Sequence, residues 1–215
     1  MKVWDLATRL YHWAQALVFI ALIGTGFAGN GPHLPLGLAL FTLITWRVLW
    51  GFVGSETNRF SQFVRSPLAT IRYLRGQSPQ DNTAGHNPAG GWMVVALIVG
   101  LLMQCLSGLA LAGMLDNLPF AQWWLTDHIF ELFESMHFML ARILPALVLL
   151  HVVAILVYKL KRKPLVKAMF TGFQDQARTE DGENVQLNFV SQRRAFLMLV
   201  AAGLVTMTII ASSMV

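Results

Sequence analysis

Five stretches of about twenty residues, each nearly free of charge, restrict this chain to folds that lipid tolerates. They cover residues 7–29, 32–53, 88–114, 135–158 and 195–215. At roughly 1.5 Å per residue, each is long enough to cross a hydrocarbon core of about 30 Å. Lipid offers no partner for backbone N–H and C=O groups, so runs of this kind must be helices. Composition agrees: 13% of the 215 residues are charged, against about 25% in soluble domains. The expected fold class is all-α, an integral membrane bundle of four helices, with 195–215 as a fifth C-terminal transmembrane helix or a helix lying along the bundle.

Local signals support these limits. Asn87 is placed to cap the third span, with Pro88 at its first helical position. Pro32 and Pro35 suit the opening turn of the second, and Trp4, Tyr11 and Trp13 stand at interfacial depth on the first. Pro145 predicts a kink in the fourth. The first run is too long for a removable signal peptide and lacks a small-residue cleavage site. Two connecting pieces read as surface helices: "RFSQFVRSPLATIRYLRG" (59–76) on one side of the membrane and "QWWLTDHIFELFES" (122–135) on the other. "QARTEDGENVQ" (176–186) reads as a solvated linker.

Basic residues set the orientation. Lys2 and Arg9, then Arg59, Arg65, Arg72 and Arg75, then Lys159 to Lys167, Arg178, Arg193 and Arg194 all fall on one side. The opposite loops hold no lysine or arginine, and the larger carries Asp116, Asp127, Glu131 and Glu134. The positive-inside rule therefore puts the N-terminus and loop 54–87 in the cytoplasm, and loop 115–134 outside. The net charge of +5 is a topology signal and not a nucleic-acid footprint. A single cysteine, Cys105, excludes an internal disulfide, a zinc knuckle and Cys-x-x-Cys-His haem attachment. It reads as a small packing residue.

Histidines carry the chemistry. Ionisable groups at membrane depth are costly and point to function. His137 and His151 stand fourteen residues apart, about 21 Å along one helix and about 40° short of one face. His12, early in the first span, matches the depth of His151. His33, at the outer start of the second, matches His137. Two pairs result, His12/His151 inside and His33/His137 outside, each drawn from separate helices. Facing imidazoles in an apolar gap are what the iron of a bis-histidine haem requires, and a bundle interior is a usual place for it. Gly37, four residues after His33, would let a flat macrocycle approach the backbone. Arg9 and Arg47 are candidate partners for haem propionates, set against a snorkelling role for each. Arg142 lies about 140° round the helix from His137, and its role stays open. His86 belongs to the turn before the third span, or near a quinone or propionate; His128 reads as a surface residue. A bare metal ion held by two histidines would lack further ligands.

At these residues the chain resembles the bacterial cytochrome b561 family and the related di-haem cytochrome b subunits of membrane-bound hydrogenases and formate dehydrogenases. The matching elements are "RLYHW" (Arg9–Trp13), "HLPLGLALFTLITWRVLWG" (His33–Gly51), "GHNPAGG" (Gly85–Gly91) and the histidine pair of the fourth span. The resemblance implies two b-type haems ligated by His12, His33, His137 and His151. It also implies electron transfer across a bacterial inner membrane between a quinone pool and a redox partner. Such a partner would be a periplasmic c-type cytochrome or a hydrogenase or dehydrogenase subunit. Residues 1–167 then form the di-haem bundle, 168–194 a cytoplasmic linker, and 195–215 the C-terminal helix. No soluble portion is large enough for a substrate-oxidising site, so the chain reads as an electron-transfer subunit. A self-contained enzyme acting on a diffusible species such as superoxide, as some family members resemble, is an alternative. A haem-free transporter or structural subunit is the rival from another class, although no inverted repeat or mid-membrane helix break is evident.

Overall fold

The computed structural model describes residues 1–77, 85–174 and 186–214. Their regular structure is helical, apart from an isolated antiparallel bridge between Lys2 and Phe173. Among the described residues nine α-helices follow in order: α1 (Leu6–Ala28), α2 (His33–Val53), α3 (Phe60–Phe63), α4 (Pro67–Leu74), α5 (Pro88–Leu111), α6 (Ala121–Trp124), α7 (Asp127–Leu160), α8 (Leu165–Thr171) and α9 (Gln192–Ser212). Of these, α1, α2, α5, α7 and α9 are long and apolar enough to cross a membrane. All five expected spans are therefore present as helices.

The helix limits follow from the sequence. Asp5 caps α1, its carboxylate accepting the Thr8 N–H at 2.6 Å. Gly29 ends that helix at φ 65°, a left-handed conformation that glycine adopts without penalty. Asn87 caps α5 through the Gly90 N–H at 2.8 Å, with Pro88 at the first position. Helix α7 runs without interruption through Pro145.

Two expectations need correction. The piece 59–76 is not one helix. It divides into α3 and α4, because Pro67 disfavours helical backbone at Ser66, and Ser66 then caps α4. Nor does the piece 122–135 form a separate surface helix. After short α6 the chain enters α7 at Asp127, where an acidic residue in the first turn suits the helix dipole. No breaker stands between Asp127 and the apolar span, so α7 extends over 34 residues, about 50 Å. Residues 175–185 of the expected linker lie outside the described residues.

Helix α2 is the hub. It packs against α1, α5 and α9, while α5 packs against α7. The main core joins Leu40, Phe41 and Ile44 of α2 to Ile98, Leu101 and Leu109 of α5, with Leu144 of α7 and Ile209 of α9 at its edges. A second cluster seats Trp46 and Trp50 on Ala195 and Ala202 of α9. Intramembrane hydrogen bonds fasten that contact: Trp46 Nε1–H donates to the Ala195 carbonyl at 3.0 Å, and the Thr42 and Thr206 hydroxyls meet at 2.7 Å. The N-terminal residues cross beneath α8, with Val3 and Trp4 packed on Ala168. Leu17, Ile20, Leu149, Leu150 and Phe196 face outward, as lipid-contacting residues do.

The four helices α1, α2, α5 and α7 thus form an arc, with α1 and α7 at its ends and no extended contact between those two. Leu144 is the one fully enclosed residue of α7. His12 lies on α1, His33 on α2, and His137 and His151 on α7.

Candidate functional site

His33 opens α2, and His137 lies on α7. Their ring centroids stand 6.4 Å apart with the planes at 80°. Each ring is held by its Nδ1. The Thr25 hydroxyl lies 2.9 Å from His33 Nδ1 and also 3.0 Å from the Ala21 carbonyl. A hydroxyl that donates its one proton to a carbonyl receives from the imidazole, so His33 Nδ1 carries the hydrogen. His137 Nδ1 lies 3.2 Å from the Gln104 carbonyl and 3.1 Å from the Ser107 hydroxyl, which itself donates to that carbonyl. A carbonyl only accepts, so His137 Nδ1 is protonated as well. With Nδ1 donating on both rings, Nε2 is the nitrogen that would be left to ligate a metal; the Gln104 side-chain Nε2 also stands 3.2 Å from each nitrogen of His137.

Two glycines make this approach possible. A Cβ on Gly108 of α5 would come within 2.9 Å of His137 Cε1, and one on Gly26 of α1 within 3.2 Å of His33 Cε1. A Cβ on Gly37 would meet no protein atom within 4 Å.

The second pair is held differently: among the described residues no hydrogen bond reaches either ring. His12 and His151, on α1 and α7, are within electrostatic reach of each other. His12 stands edge-on to Trp13 at 5.1 Å. Around it α1 carries buried polar atoms with no hydrogen-bond partner: Thr8 Oγ1, Arg9 Nε, His12 Nδ1, Trp13 Nε1 and Gln15 Oε1. Buried polar groups are nearly always satisfied, so such a concentration is unusual.

Arg47 of α2 is buried at 4% exposure. Its guanidinium donates to the Asn58 carbonyl at 3.4 Å and lies over the rings of Phe60 and Phe63. Among the described residues it has no carboxylate ion pair; Asp5, within electrostatic reach, is occupied by Thr8 N–H and by the Asn58 amide at 3.0 Å. Arg9 donates to the Phe170 carbonyl and so ties α1 to α8. His86, in the turn before α5, is boxed between Trp4 at 4.9 Å and Phe63 at 4.7 Å and bonds the Thr57 backbone. Burial, reinforced by the positive charge of Arg47 and by His151, pushes its pKa down to about 3. Arg142 is exposed on α7 beside Ser135, Phe138 and Met139, apart from His137. Among the described residues no cluster of three or more histidine, cysteine or carboxylate groups could hold a bare metal ion.

The family model for prokaryotic cytochrome b561 matches residues 3–172, four-fifths of the chain. The chain belongs to the prokaryotic cytochrome b561 family. No curated protein and no solved structure matches it. A cytochrome b561 is a membrane-bound, b-type haem electron-transfer protein, and the five spanning helices agree with a multi-pass place in the membrane. Helix α9 and the segment before it lie beyond the matched residues.

Sequence reasoning did not single out Thr25, Gln104, Ser107, Gly26 or Gly108, all of which touch the outer histidines. Gln104 had a signal: a carboxamide inside an apolar run is as anomalous as a histidine there. The glycines had none, since their use depends on which helix lies opposite.

Proposed function

We propose that this cytochrome b561 holds two b-type haems, the inner between His12 and His151 and the outer between His33 and His137. In this reading it passes electrons between a quinone pool and a partner on the periplasmic side. One observation carries it: the His33 and His137 rings, from separate helices, stand 6.4 Å apart, each with a hydrogen-bond partner at Nδ1. Two nitrogens each about 2 Å from one metal, with ring centres about 1.1 Å behind them, put the centroids about 6 Å apart.

The chain's own residues supply orientation and insulation, while a bound haem supplies reversible one-electron exchange at iron. Thr25 and the Gln104 carbonyl fix the outer rings in the ligating tautomer. The open face of Gly37 leaves room beside His33 for a planar group. At the inner end, the unpartnered atoms of α1 around His12 and the carboxylate-free guanidinium of Arg47 suit a haem edge with its propionates. Arg9 also keeps an unpartnered Nε for that purpose. The two histidine levels of α7 are about 21 Å apart, so two haems would divide the bilayer into short steps.

With its N-terminus cytoplasmic, the chain would meet quinone near His12, Arg47 and His86. It would meet its partner, a c-type cytochrome or a hydrogenase or dehydrogenase subunit, at the lysine-free outer loop. Vesicles reconstituted with the purified protein test this. A lipid-soluble quinol in the bilayer should reduce an external c-type cytochrome at a rate proportional to protein content. Retention of the full rate in a His12→Ala, His137→Ala double variant would refute the reading.

A further inference from the structure

Gln104 does more at the outer site than lend its carbonyl. Its side-chain Nε2 lies 3.2 Å from His137 Nδ1 and 3.2 Å from His137 Nε2. The two imidazole nitrogens flank Cε1 and are about 2.2 Å apart, so a heavy atom equidistant from both at that range would overlap a ring carbon if it lay in the ring plane. The amide therefore stands off the plane, over the face of the imidazole. Two in-plane directions remain. Nδ1 points at the Gln104 carbonyl and the Ser107 hydroxyl, and the in-plane direction of Nε2 is the other.

The amide itself is held with an unmet need. Gln104 Oε1 is buried without a hydrogen-bond partner. A carboxamide so placed is a fixed dipole with its N–H end on the ring and its oxygen pointing away. N–H groups over aromatic faces are attracted to the π density. The inner site has no counterpart: among the described residues no hydrogen bond reaches the ring of His12 or of His151.

We propose that Gln104 is a positioning residue for His137 and that its amide, lying on the imidazole face, raises the reduction potential of the outer haem. The inference rests on the ligand assignment given above. Its basis is electrostatic. The positive end of the amide stabilises electron density on the ring and so weakens the ring's donation to iron, which disfavours the more oxidised state. Donation of Nδ1–H to a carbonyl acts in the opposite sense, by making the imidazole a stronger donor. Gln104 thus applies both influences to one ligand, and only the side-chain part can be removed by substitution.

Spectroelectrochemical titration of the full-length protein in lipid nanodiscs tests this, with wild type, Gln104→Leu and Gln104→Glu compared and the inner haem as internal reference. Gln104→Leu should lower the outer reduction constant about threefold, the scale of one N–H to π contact. Gln104→Glu keeps the shape but puts a carboxylate on the ring; it should lower that constant about tenfold, about 59 mV for one electron. Its shift should lessen at acid pH as the carboxylate takes up a proton. The inner potential should not move. If the leucine variant loses the outer haem through misfolding, the nearly isosteric glutamate variant decides. An unmoved outer potential with both haems present, or equal movement of both, overturns the role of Gln104 and leaves the ligand assignment intact. Absence of any b-type haem in the wild type overturns the assignment instead.

Discussion

The imidazoles of His33 and His137 meet from helices that do not adjoin in sequence, 6.4 Å between ring centres, and neither ring is free to turn. Thr25 holds one and the Gln104 carbonyl holds the other, each at Nδ1, so the same atom type, Nε2, is left on both for a ligand role. A packing histidine has no need of this symmetry; an axial ligand does.

Gly108 is the position where this arrangement is most easily disturbed. A methyl group there would press on His137 Cε1 at 2.9 Å. Gly108→Ala should tilt the ring and reduce retention of the outer haem, read as b-type haem per chain after purification. Gly24→Ala, where the added carbon meets nothing within 4 Å, serves as the control and should leave haem content unchanged.

Gly37 makes the opposite kind of test. A Cβ there meets no protein atom within 4 Å, so folding and membrane insertion of Gly37→Leu should be normal. Haem occupancy should nevertheless fall, because the leucine takes the space beside His33 assigned to the macrocycle. Full haem content in Gly37→Leu would remove Gly37 from the site.

Asp5 links the start of α1 to the loop that supports Arg47. Its carboxylate caps Thr8 and accepts from Asn58, whose carbonyl in turn receives Arg47. Asp5→Ala removes the cap and leaves a buried amide unsatisfied, a loss of about 1–3 kcal/mol. Thermal denaturation in detergent should show it. Loss should be smaller in Asp5→Asn, which retains an acceptor oxygen.

His86 should make stability depend on acidity. Its pKa, about 3 in the folded protein, lies below the unfolded value of about 6.5. Between those values the unfolded chain binds a proton that the folded chain refuses, so stability falls as pH drops from about 6.5 toward 3. The slope approaches about 1.4 kcal/mol per pH unit for one group. Above pH 6.5 the contribution is complete and flat. His86→Phe should flatten the acid limb of a stability–pH curve, and an unchanged limb would assign it to other groups.

Much of this architecture was legible before any coordinates. The spans followed from the length of apolar runs, because lipid leaves the backbone no alternative to a helix. Asn87 and Pro88 fixed the start of α5 to the residue, since capping is local chemistry. The depth match of His33 with His137 followed from helical rise alone, and the rings do meet. What the chain did not disclose is long-range. The continuity of α7 from Asp127 depended on the absence of a breaker, which is a weaker signal than its presence, and the division at Ser66 depended on giving Pro67 more weight than the amphipathic pattern around it. Gly26, Gly108 and Thr25 acquire meaning only once it is known which side chain lies opposite them. Arg9 shows the same limit: its tie to the Phe170 carbonyl, far along the chain, has no local signal.

Counting haem is the most direct test of the two-pair account. Purified wild-type protein should carry two b-type haems per chain, with two components in its redox titration. His137→Ala and His33→Ala should each carry one, with the same component missing from both, whereas His12→Ala and His151→Ala should both lose the other. One haem per wild-type chain would contradict the account, as would His33→Ala and His137→Ala removing different components.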